Sequence, residues 1–193
     1  MDAVAAEKYI VEKLASELPE TLFYHGLHHV LDVTNAALQL ASQEGITDTE
    51  SLSLLRTAAL YHDCGFLSAY ANHEEEGCKI VREILPAFEF SDVQIGAICG
   101  MIMATRIPQS PRTHLEKILC DADLDYLGRT DFESIANTLF EELKARNRIS
   151  DLAAWNETQV KFIGTHSYWT ESAKQNREHT KQAHLASLMK TRH

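Results

Sequence analysis

The chain has 193 residues, 45% of them hydrophobic, and a formal net charge of −10. This length supports one sizeable hydrophobic core and does not require two, so we expect a single domain over residues 1–193. The acidic balance argues against a nucleic-acid duplex as partner, and the longest apolar segment, residues 95–104, is too short to span a membrane.

Helical patterns follow one another along the chain, and strand-like alternation is almost absent. The first predicted helix covers residues 3–18 and stops at Pro19, and the second covers residues 26–44 before a glycine cap at Gly45. Capping-box signals predict four further helix starts, at Thr47–Glu50, Ser91–Gln94, Thr113–Glu116 and Thr130–Glu133. A last pattern extends from residue 151 to about residue 169. We therefore predict an all-α bundle of seven to nine helices.

Helical phase separates two adjacent histidines of the second helix. His29 shares a face with apolar residues that follow it at helical spacing, whereas His28 shares a face with polar ones. His29 is therefore expected to point inward and His28 outward. His25 projects to the side of His29 if the helix extends that far back.

Three short elements, far apart in sequence, carry the chemistry. His29 lies in the first, His62 and Asp63 close an apolar helical run, and Asp121-Ala-Asp123 follows later. An adjacent imidazole and carboxylate at a buried helix end are costly to leave unpaired, and a divalent metal ion satisfies both. The order of these elements resembles the HD superfamily of metal-dependent phosphohydrolases, and the resemblance covers nearly the whole chain.

This resemblance implies a metal ligand set of His29, His62, Asp63 and Asp121. Open coordination positions then indicate a catalytic site. Asp121 is chosen because the late aspartate of the family corresponds to the first of the two, whereas periodicity does not decide between Asp121 and Asp123. For Asp123 or Asp125, the alternative role is to orient the ligands without binding the metal ion. The cofactor is a divalent ion, with Mn, Fe, Ni, Zn and Mg left open.

Two further histidines are candidates for catalysis. His25 resembles the histidine of the Tyr-His-Asn motif of cyclic-nucleotide phosphodiesterases, where it protonates the leaving oxygen, although Gly26 replaces the asparagine here. The alternative for His25 is a helix-start histidine held by a carboxylate. His73 resembles a histidine that serves catalysis or a second metal in many branches, and its alternative is a surface histidine among acids.

The predicted function is hydrolysis of a nucleotide or another small phosphate mono- or diester by a metal-activated water, with Asp63 also accepting the proton of the nucleophile. Two alternatives remain at this stage. One is an HD-type di-iron oxygenase, and the other is a non-catalytic metal-binding sensor module. Between Glu74 and Cys120 the chain offers only His114 as a further histidine, which favours a mononuclear site or a weakly held second metal.

The C-terminal part supplies less specific signals. Residues 155, 159, 162, 166 and 169 form one predominantly aromatic helical stripe, interpreted as core, with a pocket wall as the alternative. Arg177 and Lys181 share a helix face, interpreted as solvated, with a phosphate contact as the alternative.

The cysteines and the N-terminus predict the location. Cys64, Cys78, Cys99 and Cys120 contain no C-x-x-C pair and lie in apolar or helical contexts, so we expect reduced core thiols. The N-terminus lacks the features of a signal peptide. We therefore expect a cytoplasmic protein with no membrane partner, and the oligomeric state is left open.

Overall fold

A computed structural model describes residues 1–190, and all regular structure in that part of the chain is helical. The α-helices of this part are α1 (Ala3–Glu17), α2 (Leu27–Gln43), α3 (Thr49–Tyr61), α4 (His73–Ile84), α5 (Asp92–Thr105), α6 (His114–Asp123), α7 (Phe132–Ala145), α8 (Leu152–Thr165) and α9 (Glu171–Lys190). Short 3-10 turns lie at Cys64–Leu67, Leu85–Phe88 and Asp125–Gly128. The all-α prediction is confirmed.

Two of the predicted capping boxes start helices. At α5, Ser91 accepts a hydrogen bond from the backbone of Gln94, whose side chain bonds back to Ser91, and Thr113 and Glu116 repeat this at α6. Each box satisfies orphan amides of the first helical turn. These two helix starts are therefore determined by local sequence.

The other two predicted capping boxes, at Thr47–Glu50 and Thr130–Glu133, were wrong. α3 begins at Thr49 because Asp48, and not Thr47, caps it by accepting from the Ser51 amide at 2.7 Å. α7 begins at Phe132 and has no side-chain cap at all. In both cases the actual start lies two residues after the predicted cap, where an aspartate precedes the first helical residue.

Two hydrophobic clusters organise the helices. The larger one is built mainly on α2, α3, α5 and α6, with α1 packed on α3 and α4 packed on α5. The smaller one combines Tyr24 and residues 124–127 with apolar side chains of α7 and α8. The predicted site residues lie where the two clusters meet, because α2 and α4 begin there and α3 and α6 end there.

Close backbone packing brings the start of α4 to the end of α3. A Cβ atom on Gly65 would lie 1.8 Å from the backbone oxygen of His73, so only glycine fits between the two segments. This contact places His73 beside the His62-Asp63 pair.

Within residues 1–190, no helix has both the length and the apolar character that crossing a membrane requires.

Candidate metal centre and active site

His29 enters the site from the first turn of α2. Its side chain is buried beside Val30 and Val33, while His28 is exposed, so the predicted helical phase is confirmed. The ring of Tyr24 lies against that of His29, with centroids 4.5 Å apart. His25 precedes the helix, which begins only at Leu27.

His62 and Asp63 follow the last turn of α3, as the sequence predicts, and both are buried. The Nδ1 atom of His62 donates to the carbonyl oxygen of Ala59 at 2.7 Å, which leaves the lone pair of Nε2 directed into the site. Within the described residues, His62 Nε2 and Asp63 Oδ2 are buried without a hydrogen-bond partner. Such orphaned atoms are costly unless another group binds them.

The late aspartate of the site is Asp123, and not Asp121. Asp123 Oδ1 lies 3.2 Å from His29 Nε2 and 3.6 Å from His62 Nε2. Asp121 points the other way, where its carboxylate accepts hydrogen bonds from the amides of Trp169 and Thr170 and from the Thr170 hydroxyl. The choice of Asp121 as a ligand is therefore corrected: its oxygens anchor the segment that leads into α9.

The four side chains fit a divalent metal ion. Ligand atoms of His29, His62 and Asp123 lie within 4.8 Å of one another, and Asp63 Oδ2 lies 3.6 Å and 3.3 Å from the two imidazole Nε2 atoms. Bonds of about 2.1 Å to one ion would place neighbouring ligand atoms roughly 3.0–3.4 Å apart. The observed N···O separations of 3.2–3.6 Å are close to that spacing.

Charge in this cluster is tightly balanced. Burial would raise the pKa of Asp63, yet the adjacent His62 holds that pKa well below its ordinary value. Burial likewise opposes the charged form of His62, and Asp63 and Asp123 reverse that effect and raise its pKa. The carboxylates are therefore ionised and able to act as ligands, whereas a metal ion requires His62 in its neutral form.

His73 approaches the other oxygen of Asp63. Its Nε2 atom lies 3.4 Å from Asp63 Oδ1 and 3.5 Å from Glu74 Oε1. The imidazole stacks on the ring of Phe66 at 4.0 Å. Glu74 is a buried acid at the edge of the site that the sequence analysis did not select, since three consecutive glutamates gave no reason to choose it.

A buried glutamate holds His25. Glu142 Oε1 accepts from His25 Nδ1 at 2.6 Å and from the Tyr70 hydroxyl at 2.8 Å, and Oε2 accepts from the amides of Tyr24 and His25. Burial would raise the pKa of Glu142, but the hydrogen bond and charge of His25 lower it to about 2. Ionised Glu142 only accepts, so Nδ1 of His25 carries a proton and Nε2 is left for other chemistry. Sequence analysis missed Glu142.

His114 and the cysteines lie outside the cluster. The imidazole of His114 pairs with Glu44 at 2.9 Å on the surface. Cys64, Cys78, Cys99 and Cys120 are buried free thiols, in agreement with the predicted core role.

The aromatic stripe is shorter than predicted. α8 ends at Thr165, so Trp155 and Gln159 are buried on the helix, whereas Trp169 lies beyond it and is 38% exposed. His166 follows the helix and accepts from Lys181 at Nδ1.

The two basic residues of α9 also differ from their interpretation. Lys181 is fully buried and donates to the backbone oxygen of His166 at 2.7 Å, while Arg177 pairs with buried Asp125 at 2.7 Å. Neither side chain is simply solvated, and both are occupied by protein partners.

Comparison with known proteins agrees with this geometry. The family model of the HD domain matches residues 26–125, just over half of the chain, and this span contains the four clustered side chains. The chain therefore belongs to the HD domain family, whose members bind divalent metal ions. Among curated proteins, no sequence gives a significant match.

Solved structures show the same fold. One is a predicted HD superfamily hydrolase from an uncultured Thermotogales bacterium, 21% identical over 97% of this chain and 90% of that protein, with a TM-score of 0.63. A Lactobacillus plantarum protein is 18% identical over 98% and 96%, with a TM-score of 0.68. A Listeria innocua protein is 20% identical over 97% and 93%, with a TM-score of 0.62.

Proposed function

We propose that this protein is a metal-dependent phosphohydrolase that acts on a nucleotide or another small phosphate ester. The observation that carries the proposal is the pair of buried, unpartnered ligand atoms, His62 Nε2 and Asp63 Oδ2, beside an imidazole held by a carboxylate. A structural ion pair would require neither the partly exposed His25 imidazole nor the Glu142 carboxylate that holds it.

The residues that would hold the ion are His29, His62, Asp63 and Asp123. When bound, a divalent cation supplies positive charge that lowers the pKa of water and stabilises negative charge developing on a phosphoryl group. Three of these ligands come from helix ends, so the protein fixes their positions before substrate arrives.

Asp63 has a second task in the proposal. Its Oδ2 atom faces the imidazole of His29, and its Oδ1 atom faces that of His73. Oδ1 accepts the proton of the attacking water, and the resulting O–H donates a hydrogen bond to Nε2 of His73. In the proposal, His73 therefore assists activation of the water and is not a ligand of the metal ion.

His25 protonates the leaving oxygen. Glu142 fixes a proton on Nδ1, and in the proposed step Nε2 donates a proton to the leaving oxygen. The ring lies within the same group, 6.0 Å from the ring of His29 and 6.2 Å from that of His73. The proposed proton donor therefore lies beside the residues that would activate the nucleophile.

Metal content and phosphate release test the proposal together. The purified protein is expected to contain metal and to release phosphate from nucleotides or small esters in the presence of Mn, Fe, Ni, Zn or Mg ions. Asp63→Asn should lower metal per chain and remove activity, while the exposed control Asp92→Asn should change neither. Full metal occupancy with unchanged turnover in Asp63→Asn would contradict the assignment.

The role of His25 is tested separately. His25→Ala should retain the metal and lower turnover by roughly two to four powers of ten for an alkyl phosphate, the usual contribution of a positioned acid. A nitrophenyl phosphate should lose much less, because its leaving group needs no proton. Equal losses for both esters would exclude His25 as the acid.

A further inference from the structure

A cavity of about 490 Å³ is bordered by Phe66 and Tyr70, whose rings lie 4.4 Å and 6.2 Å from the ring of His25. Phe66 and Tyr70 contribute aromatic rings to its wall, and Arg146 and Arg148 contribute guanidinium groups. The guanidinium carbons of the two arginines lie 4.4 Å and 5.3 Å from the centroid of the Tyr70 ring. Two positive charges therefore share one cavity in a strongly acidic protein.

The two arginines lack the carboxylate partners that four other arginines of the described chain have. Elsewhere in the chain, arginines form ion pairs with carboxylates: Arg56, Arg106, Arg129 and Arg177. Within residues 1–190, neither Arg146 nor Arg148 forms an ion pair. The Nε atom of Arg146 is buried without a hydrogen-bond partner, and its terminal nitrogens reach only the Thr21 hydroxyl, at 3.3–3.4 Å.

Local backbone geometry brings the arginines together. Arg146 ends α7, and Asn147 adopts a left-handed conformation with φ of 54° that turns the chain before Arg148. Asparagine tolerates this conformation better than most residues do. The turn places two cations on one side of the helix end, directed at the same tyrosine ring.

The cavity is connected to the proposed proton donor. Arg146 follows Glu142 by four residues on α7, so the two side chains share a helix face and are offset by about 6 Å along the axis. Tyr70 donates to the same Glu142 oxygen that accepts from His25. Tyr70 and Glu142 therefore connect the wall of the cavity to the imidazole of His25.

We infer that this cavity binds a second phosphate group, carried by the leaving group of the substrate. The inference rests on the proposed phosphohydrolase function and names its substrate class: esters in which a phosphate lies beyond the scissile one, such as nucleoside bisphosphates. Guanidinium groups bind phosphate through paired charge-assisted hydrogen bonds, and the terminal nitrogens of Arg146 and the exposed guanidinium of Arg148 are such donors. The aromatic walls accommodate the organic part between the two phosphates.

Direct binding is tested with inorganic phosphate and the full chain from which metal has been removed with a chelator. The Nε–Hε resonance of Arg146, assigned with Arg146→Lys, should shift during a phosphate titration followed by NMR, and Arg148→Gln should weaken the apparent affinity about tenfold or more. The exposed Arg112 serves as the control: its resonance should not shift, and Arg112→Gln should leave the affinity unchanged. A titration without any shift at Arg146, or an affinity that Arg148→Gln leaves unchanged, would overturn the inference.

Kinetics of the metal-loaded enzyme supply the second test. Arg148→Gln should raise KM about tenfold to a hundredfold for a nucleoside 3′,5′-bisphosphate with little change in kcat, because binding is lost equally in ground and transition states. The corresponding monophosphate should change less than about twofold. Equal effects on both esters would mean that the arginines only stabilise the end of α7, and the inference would fail.

The two proposals fail separately. Hydrolysis that does not depend on the arginines would leave the phosphohydrolase function standing and exclude the second phosphate site. If phosphate binding depends on the arginines but the protein hydrolyses no ester, the phosphate site is supported and the phosphohydrolase function is excluded.

Discussion

Replacing Glu142 by glutamine tests the buried carboxylate that holds His25 and Tyr70. Glu142 is fully buried and accepts four hydrogen bonds, of which the one from His25 is 2.6 Å long. Its pKa falls from an ordinary value of 4.5 to about 2 in the folded protein. This difference corresponds to about 3 kcal/mol of folding free energy from the ionised carboxylate.

The sign of this contribution determines its pH dependence. A carboxylate with a depressed pKa stabilises the folded state fully above pH 4.5, and the stabilisation is lost as the pH falls toward 2. Glu142→Gln should therefore be less stable by about 2–3 kcal/mol at pH 7, and the difference should shrink at acidic pH. Turnover should also fall while metal content is retained, because His25 loses the carboxylate that orients it.

Urea unfolding between pH 3 and pH 7 measures the difference, and metal analysis accompanies it. The neighbouring Glu141 is exposed, so Glu141→Gln is the matched control and should stay within about 0.5 kcal/mol of the unmodified protein. A stability loss in Glu142→Gln that does not depend on pH would refute the account of Glu142 as an ionised acceptor.

Three further changes test the remaining parts of the site. Asp123→Asn should lower the metal content per chain. Asp121→Asn should keep the metal but lower the free energy of unfolding by about 1–3 kcal/mol, because hydrogen bonds to the segment before α9 are lost. Comparable metal loss in both variants would contradict these separate roles. His29→Ala should abolish metal binding and His28→Ala should not, as measured by metal analysis; the reverse would contradict the helical phase. Burial lowers the pKa of His166 to about 4, so the unfolded chain binds the extra proton as the pH falls from 6.5 toward 4. The free energy of unfolding should fall by up to about 3 kcal/mol over that range, and by less in His166→Gln. Parallel curves of this free energy against pH for the two proteins would refute the role of His166.

His29 and the His62-Asp63 pair could be predicted from the sequence because their burial follows from the pattern of neighbouring residues. His29 was separated from His28 by helical periodicity, and the structure buries the first and exposes the second. The His62-Asp63 pair ends an apolar run that does become a buried helix. In each case the relevant information lies within a few residues.

The late aspartate depends on information from elsewhere in the chain. Asp121 and Asp123 lie on different sides of α6, and both sides offer partners for a carboxylate. The segment at Trp169 and Thr170 occupies one side, and the histidines occupy the other. No pattern within α6 specifies which side faces which partner.

Glu142 was missed for a related reason. It lies more than 100 residues from His25 in sequence, and its neighbour Glu141 has the same chemistry. Only the phase of α7 distinguishes the two glutamates: Glu142 borders the buried face of Phe132, Ala136 and Phe140, and Glu141 lies opposite it. No pattern within α7 identifies His25 as the partner of Glu142.

The division of the active residues between the two clusters has a consequence for cooperativity. The proposed metal ligands belong to helices of the larger cluster, whereas Glu142 belongs to α7 and the smaller one. Partial opening of a protein along such a boundary costs less free energy than complete unfolding. An opening confined to α7 and α8 would withdraw the carboxylate from His25 and leave the ligands of the ion together. In this protein, warming would then abolish the proposed hydrolysis in a step that precedes release of the metal.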